Sequence, residues 1–146
     1  MSVEAAQIAL SKARLVIHSD RFVLAAFDAE EFGEFGPKLP QLTAGTEPFL
    51  VFRDTQEVTL VFSEACRPEE LALSRRCDEG WRLLTFSPVL EMTLVGFIAL
   101  VGRIMAEAGV PILALSSYSR DHLLIKEEHL DTAVRALMPH VSGVDQ

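Results

Sequence analysis

The chain has 146 residues, a formal net charge of −8 at pH 7 and 49% apolar residues. That length fits one domain or two very small ones, the apolar content is too high for a disordered chain, and the diffuse acidity argues against a nucleic-acid backbone as partner. The apolar segments fall short of a membrane span, and the opening MSVEAAQIALSKAR has an early acid and no long apolar run, so neither a transmembrane helix nor a secretory signal is expected and the cytoplasm is the default compartment.

In chain order, Ser2 to Lys12 carries an apolar stripe that predicts a short helix, with Ser2 as its cap and Glu4 in its first turn. Arg14 to His18 and Phe22 to Phe27 read as two strands around a Ser19-Asp20 turn. Asp28 to Thr46 holds Gly33, Gly36, Pro37, Pro40 and Gly45, and that density of breakers predicts a loop with at most one helical turn. Phe49 to Arg53 and Val58 to Phe62 form a predicted hairpin around Asp54-Thr55-Gln56. Pro68 to Arg76 reads as a helix, with Pro68 in the first turn, Glu69 and Glu70 at the positive end of the dipole, and Gly80 closing it. Trp81 to Phe86 is then a strand, with Trp81 expected as a buried anchor between the two halves.

The stretch from Val95 to Lys126 organises the rest. Phe97, Leu100, Val101, Ile104, Met105 and Ala108 recur at helical spacing, so 96–108 is predicted as a helix. Gly109 ends it, because glycine accepts the left-handed conformation after a helix, and Pro111 forbids its return. Ile112 to Ser116 and His122 to Lys126 are strands around the polar turn Ser117 to Asp121, and Glu127 to Leu137 is a final helix. Strand, helix, strand, strand, helix is the ferredoxin-like plan without its last strand, and the bare sheet edge needs a cover.

The first half echoes the second. ARLVIHSD at 13–20 lines up with WRLLTFSP at 81–88, and LVFRDTQEVTLVFSE at 50–64 with ALSSYSRDHLLIKEE at 114–128. In that alignment Glu57 pairs with Asp121 and Glu64 with Glu128. Such self-similarity predicts a duplicated unit, 13–78 and 79–140, whose first copy is degenerate because the breaker-rich loop replaces a clean helix.

Catalytic motifs are missing. Ser116, Ser117 and Ser119 lack a G-x-S-x-G context, Gly96 and Gly102 lack the GK[ST] of a phosphate loop, and His18, His122, His129 and His140 are scattered without HExxH. Cys66 and Cys77 belong to no CxxC or Cys/His cluster and are expected as reduced thiols. The expectation is a protein that is not an enzyme and has neither metal nor cofactor.

Trp81-Arg82, Gly96-Phe97-Ile98, Ala108-Gly109-Val110-Pro111-Ile112 and Ser116-Ser117-Tyr118-Ser119-Arg120-Asp121-His122-Leu123-Leu124-Ile125, in that order and spacing, resemble the ACT domains, small regulatory modules that bind amino acids. Within them the chain is similar to the branch that contains the CASTOR arginine sensors and small bacterial proteins of that type, over roughly Leu15 to Leu137. The resemblance implies an α/β (α+β) ferredoxin-like fold of two tandem ACT-like modules with antiparallel sheets, a homodimer, and a ligand at a module or subunit interface. It departs from the family at Ser117 and Arg120, where Thr is common. Arg120 sets a cation beside Asp121, so arginine specificity does not carry over.

The resemblance also implies the site. Thr93, Leu94, Val95 and Gly96 precede the helix whose free N–H groups suit a carboxylate. Ser116, Ser117 and Asp121 offer hydroxyls and an acid to an ammonium or a polar side chain. From the residues alone, Gly96 reads first as a packing glycine, and only the resemblance raises the binding reading beside it; Asp121 reads also as an Asx-turn residue or a partner of Arg120 or His122, and the serines as hairpin caps. Function is therefore expected as non-catalytic binding of a small metabolite, with a ligand-free interaction protein on the same fold as the alternative.

Overall fold

The structure is a computed structural model that describes residues 3–69, 71, 74, 76–87 and 89–146. It divides into two compact units. One is composite, from Met1–Ser19 and Arg82–Gln146, and the other is central, Asp20–Trp81. Two long strands contribute residues to both: β1, Arg14–Asp28, and β4, Arg76–Ser87.

In the central unit β1 pairs antiparallel with β3, Glu57–Ser63, from Phe22 opposite Ser63 to Asp28 opposite Glu57. The edge strand β2, Leu50–Arg53, pairs antiparallel with β3. Successive side chains of a strand face opposite ways, so Val23, Ala25 and Phe27 share one face with the residues they meet, Phe62, Leu60 and Val58. That face is closed by Phe35 and Leu42, which come from two short helices, α2 (Phe32–Phe35) and α3 (Leu39–Thr43). The Phe27 ring lies 4.7 Å from Phe35 and 5.8 Å, edge on, from Phe32. The hairpin turn is closed by Asp54, whose Oδ1 accepts from the N–H groups of Gln56 and Glu57.

The composite unit holds the other core. Leu15 and Ile17 of β1, Leu84 and Phe86 of β4, and Leu123 and Ile125 of β6 (Asp121–Lys126) are buried together. Alternation puts them on one sheet face. Three helices cover that face: α1, Val3–Lys12, α4, Phe97–Glu107, and α5, Leu130–Leu137, with α4 packed against both others. Phe97 meets Phe86 edge to face at 5.4 Å. The strand order runs β1, β4, β6, β5 (Leu113–Ser116), and β7 (Gly143–Asp145) pairs parallel with the start of β1. An Arg14–Asp145 ion pair at 2.6 Å fastens β7. Helix α4 ends as its sequence dictates: Gly109 N–H bonds the Ala106 carbonyl and Val110 N–H the Met105 carbonyl, the paired bonds of a Schellman motif, with Val110 and Met105 buried in the same core.

Both halves of the chain have the strand, helix, strand, strand order with the same neighbours, β1–β3–β2 and β4–β6–β5. Four sequence expectations need correction. β1 is one strand, because Ser19-Asp20 contains neither Gly nor Pro and the apolar alternation continues in phase from Ile17 to Val23. The 28–46 loop contains two helices and an intervening 3-10 turn at Gly36–Lys38. Pro37 and Pro40 stand in first turns, where no N–H is required. β4 starts at Arg76 and contains Gly80, which therefore closes no helix. Trp81 is only half-buried. Ser2, Glu70 and several further positions of the expected 68–76 helix lie outside the described residues; among the described ones, Leu71 N–H bonds the Pro68 carbonyl and Ser74 N–H the Leu71 carbonyl.

Candidate functional site

The β5–β6 hairpin sets Ser116 directly opposite Asp121. Its turn is closed by Ser117 N–H bonded to the Arg120 carbonyl at 2.9 Å. Ser116 Oγ donates to Asp121 Oδ1 at 2.6 Å, so the acid takes its bond from the serine and not from Arg120. The segment before α4 is tied to this turn by Leu90 N–H bonded to the Ser119 carbonyl at 2.8 Å. It then turns at Glu91–Leu94, 3.0 Å between the bonded atoms, and enters the helix through Gly96 at φ 89°.

Between the turn and this segment lies a cavity of about 240 Å³. Leu94 and Phe97 give it an apolar wall, and Glu91, Ser116, Ser117, Arg120 and Asp121 give it polar ones. Of the residues expected at the site, Leu94, Ser116, Ser117 and Asp121 therefore line one space. Thr93, Val95 and Gly96 sit in the same segment without being part of the lining, and Gly96 immediately precedes Phe97, which is. The volume suits a ligand of amino-acid size, and the walls combine carboxylates, one guanidinium and hydroxyls. That mixture can hold a zwitterion.

Sequence reasoning missed what stands behind Ser117. Its Oγ is 2.9 Å from His122 Nε2, His122 Nδ1 is 2.8 Å from Thr85 Oγ1, and Thr85 Oγ1 is 2.8 Å from His18 Nε2. Burial, and then the nearby His18, hold the His122 imidazole below the usual histidine range, outweighing the pull of Asp121. Strand alternation alone places these side chains opposite the helices, but the register across β1, β4 and β6 that makes them neighbours is not written in any one segment.

Cys66 and Cys77 are free thiols. Among the described residues no group of three or more His, Cys, Asp or Glu side chains is arranged to hold a metal ion, and no described helix is long and apolar enough to cross a membrane.

This sheet order, with helices on one face of the composite unit, is the ferredoxin-like fold of ACT domains. Residues 76–138 match the family model described as an ACT domain, and over those residues the chain is similar to that family. Solved structures agree on the fold. A protein from Agobacterium tumefaciens is 20% identical with a TM-score of 0.74, over 92% of this chain and 95% of its own. A Vibrio cholerae protein of unknown function is 18% identical with a TM-score of 0.67, over 96% and 98%. The regulatory subunit of aspartate kinase from Thermus thermophilus, in its ligand-free form, is 12% identical with a TM-score of 0.67, over 90% and 98%. A comparison with curated protein sequences gives no match.

Proposed function

We propose that this protein is a non-catalytic regulatory module that binds an amino acid between the first turn of α4 and the Ser116–Asp121 turn. One observation carries the reading: on an ACT fold, Leu94, Ser116, Ser117 and Asp121 converge on a cavity of amino-acid size beside Phe97, the first residue of α4. The free N–H groups of that first turn suit the ligand carboxylate, and Asp121 with the serines suits its ammonium. The proposal includes two ACT-like modules, 13–78 and 79–140, in a cytoplasmic homodimer of the CASTOR-like branch, with ligand shifting the dimer equilibrium or a partner surface. Light scattering at tens of micromolar tests the dimer, and a monomeric mass refutes it.

The decisive experiment is a thermal-shift screen against the amino acids. A ligand that binds only the folded state, at a hundred times its dissociation constant, adds about 2.7 kcal/mol, a rise in midpoint of roughly 5–10 °C for a chain of this size. Asp121→Ala should abolish the rise; it also removes the half-buried acceptor of the Ser116 hydroxyl, a bond worth about 0.5–1.5 kcal/mol, so the unliganded midpoint should fall by only about 2–5 °C. If no amino acid moves the midpoint at millimolar concentration, the amino-acid reading fails. The alternative of an interaction protein is favoured by Met92, Val95 and Tyr118, apolar or aromatic side chains left 76%, 58% and 84% exposed near the cavity.

A further inference from the structure

The face of the composite unit's sheet opposite its helices carries a polar row across three strands: His18 on β1, Thr85 on β4 and His122 on β6, ending at Ser117. Thr85 is 7% exposed and has one proton to share between two imidazoles. It therefore donates to one histidine and accepts from the other.

Each choice fixes what Ser117 presents. When Thr85 donates to His18, a neutral His122 carries its proton on Nδ1 and its Nε2 accepts. Ser117 then gives its proton to His122 and turns only lone pairs to the cavity. When Thr85 donates to His122, the His122 proton sits on Nε2 and Ser117 accepts. Its own proton is then free for the cavity or for the Arg120 carbonyl, 3.3 Å away. A protonated His122 donates from both nitrogens, imposes the second arrangement on Ser117 and sets a full positive charge one hydrogen bond behind it.

We propose that His122, held by Thr85 and His18, is a positioning residue that sets the hydrogen-bonding polarity of Ser117 and makes the 116–121 turn respond to pH. Through Ser117 this deepens the amino-acid site, and its ligand consequence rests on that reading; the response of the turn does not. The charged groups around His122 are His18 and Arg120, which oppose its protonation, and Asp121, which favours it. Arg82 adds a cation on the His18 side, donating to the His18 carbonyl at 3.0 Å while lying 3.6 Å from Glu127. Burial outweighs Asp121, so His122 stays neutral at neutral pH, with either arrangement open to Ser117, and the charged state, which fixes Ser117 as an acceptor, enters in mild acid.

The test is an NMR titration of the intact protein without ligand, from about pH 8 to about pH 5, following the imidazole signals and the amides of Ser117, Ser119 and Arg120. The His122 midpoint should lie below about 6.5, the three amides should move with that midpoint, and His18→Gln should raise it by removing a group that opposes protonation of His122. Amides that stay still while His122 titrates, or a His122 midpoint at or above the ordinary value, overturn the proposal. A second arm uses whichever of the twenty amino acids raises the melting midpoint at about pH 8. Its affinity should weaken about threefold or more toward about pH 5 in the native protein, as the charge behind Ser117 opposes an ammonium, and should be flat in His122→Gln. An equal loss in both proteins overturns the ligand consequence. If none of the twenty binds, the amino-acid site fails while the imidazole and amide titration still decides the role of His122.

Discussion

Replacing Gly96 with alanine isolates a backbone term. The residue stands at φ 89°, ψ 4° at the entrance to α4. An added Cβ would meet only the Ala6 methyl, at 3.9 Å, which is ordinary contact, so packing contributes nothing against it. What remains is the cost of holding an L-residue left-handed, about 1–2 kcal/mol. Gly102, inside the same helix, is the natural control: a Cβ there meets nothing within 4 Å, and its φ is not positive. Alanine at that position should stabilise by about 0.5–1 kcal/mol. With an unfolding entropy of about 2.1 cal/mol/K per residue, the chain gains about 0.3 kcal/mol/K at its midpoint. Gly96→Ala should thus lower the midpoint by about 3–7 °C and Gly102→Ala raise it by about 2–3 °C, read by circular-dichroism melts of the intact protein. Two shifts of the same sign, or a Gly96→Ala melt at the native midpoint, would refute the reasoning.

Phe86→Ala removes a ring that packs edge on against Phe97 in the composite core; denaturant unfolding should show a loss of about 3–5 kcal/mol, and a loss below about 1 kcal/mol would mean that core is not what holds the unit. For β7, the Arg14 guanidinium holds the Asp145 carboxyl below the usual carboxylate range. A depressed folded value means the contribution is fully present above the unfolded value, about pH 4, and is lost as pH falls through the folded one. Exchange protection of the Val144 amide, corrected for intrinsic rate, should therefore drop in acid, and Asp145→Asn should show the same loss at neutral pH. Protection that is indifferent to both changes would remove the ion pair from the account.

The second half of the chain was legible because each of its signals is local. The α4 stripe, the Gly109-Val110-Pro111 stop and the Ser117–Asp121 turn each lie within a few residues, and each appears where expected. The first half hid its order in longer patterns. Leu15, Ile17, Val23, Ala25 and Phe27 keep one parity across Ser19-Asp20, which marks a single strand. Phe32, Phe35, Leu39 and Leu42 keep a helical stripe through glycines and prolines that the breaker count treated as loop. The site divides similarly. Ser116, Ser117 and Asp121 share a hairpin, so their meeting follows from one turn, whereas Thr85 reaches His18 and His122 only through a register between strands far apart in sequence.

The composite unit is assembled from the two ends of the chain, with Asp20–Trp81 between them. This has a consequence for birth on the ribosome. Every residue of the central core has been synthesised before Leu84 and Phe86, the first later partners that Leu15 and Ile17 require. At roughly 5–20 residues per second, the roughly 65 residues from Arg82 onward take about 3–13 s to translate. During that interval Ala6, Leu10, Leu15 and Ile17 wait without most of their core. The order of synthesis thus leaves these four apolar side chains exposed at a time when the residues of the central core can already close on one another.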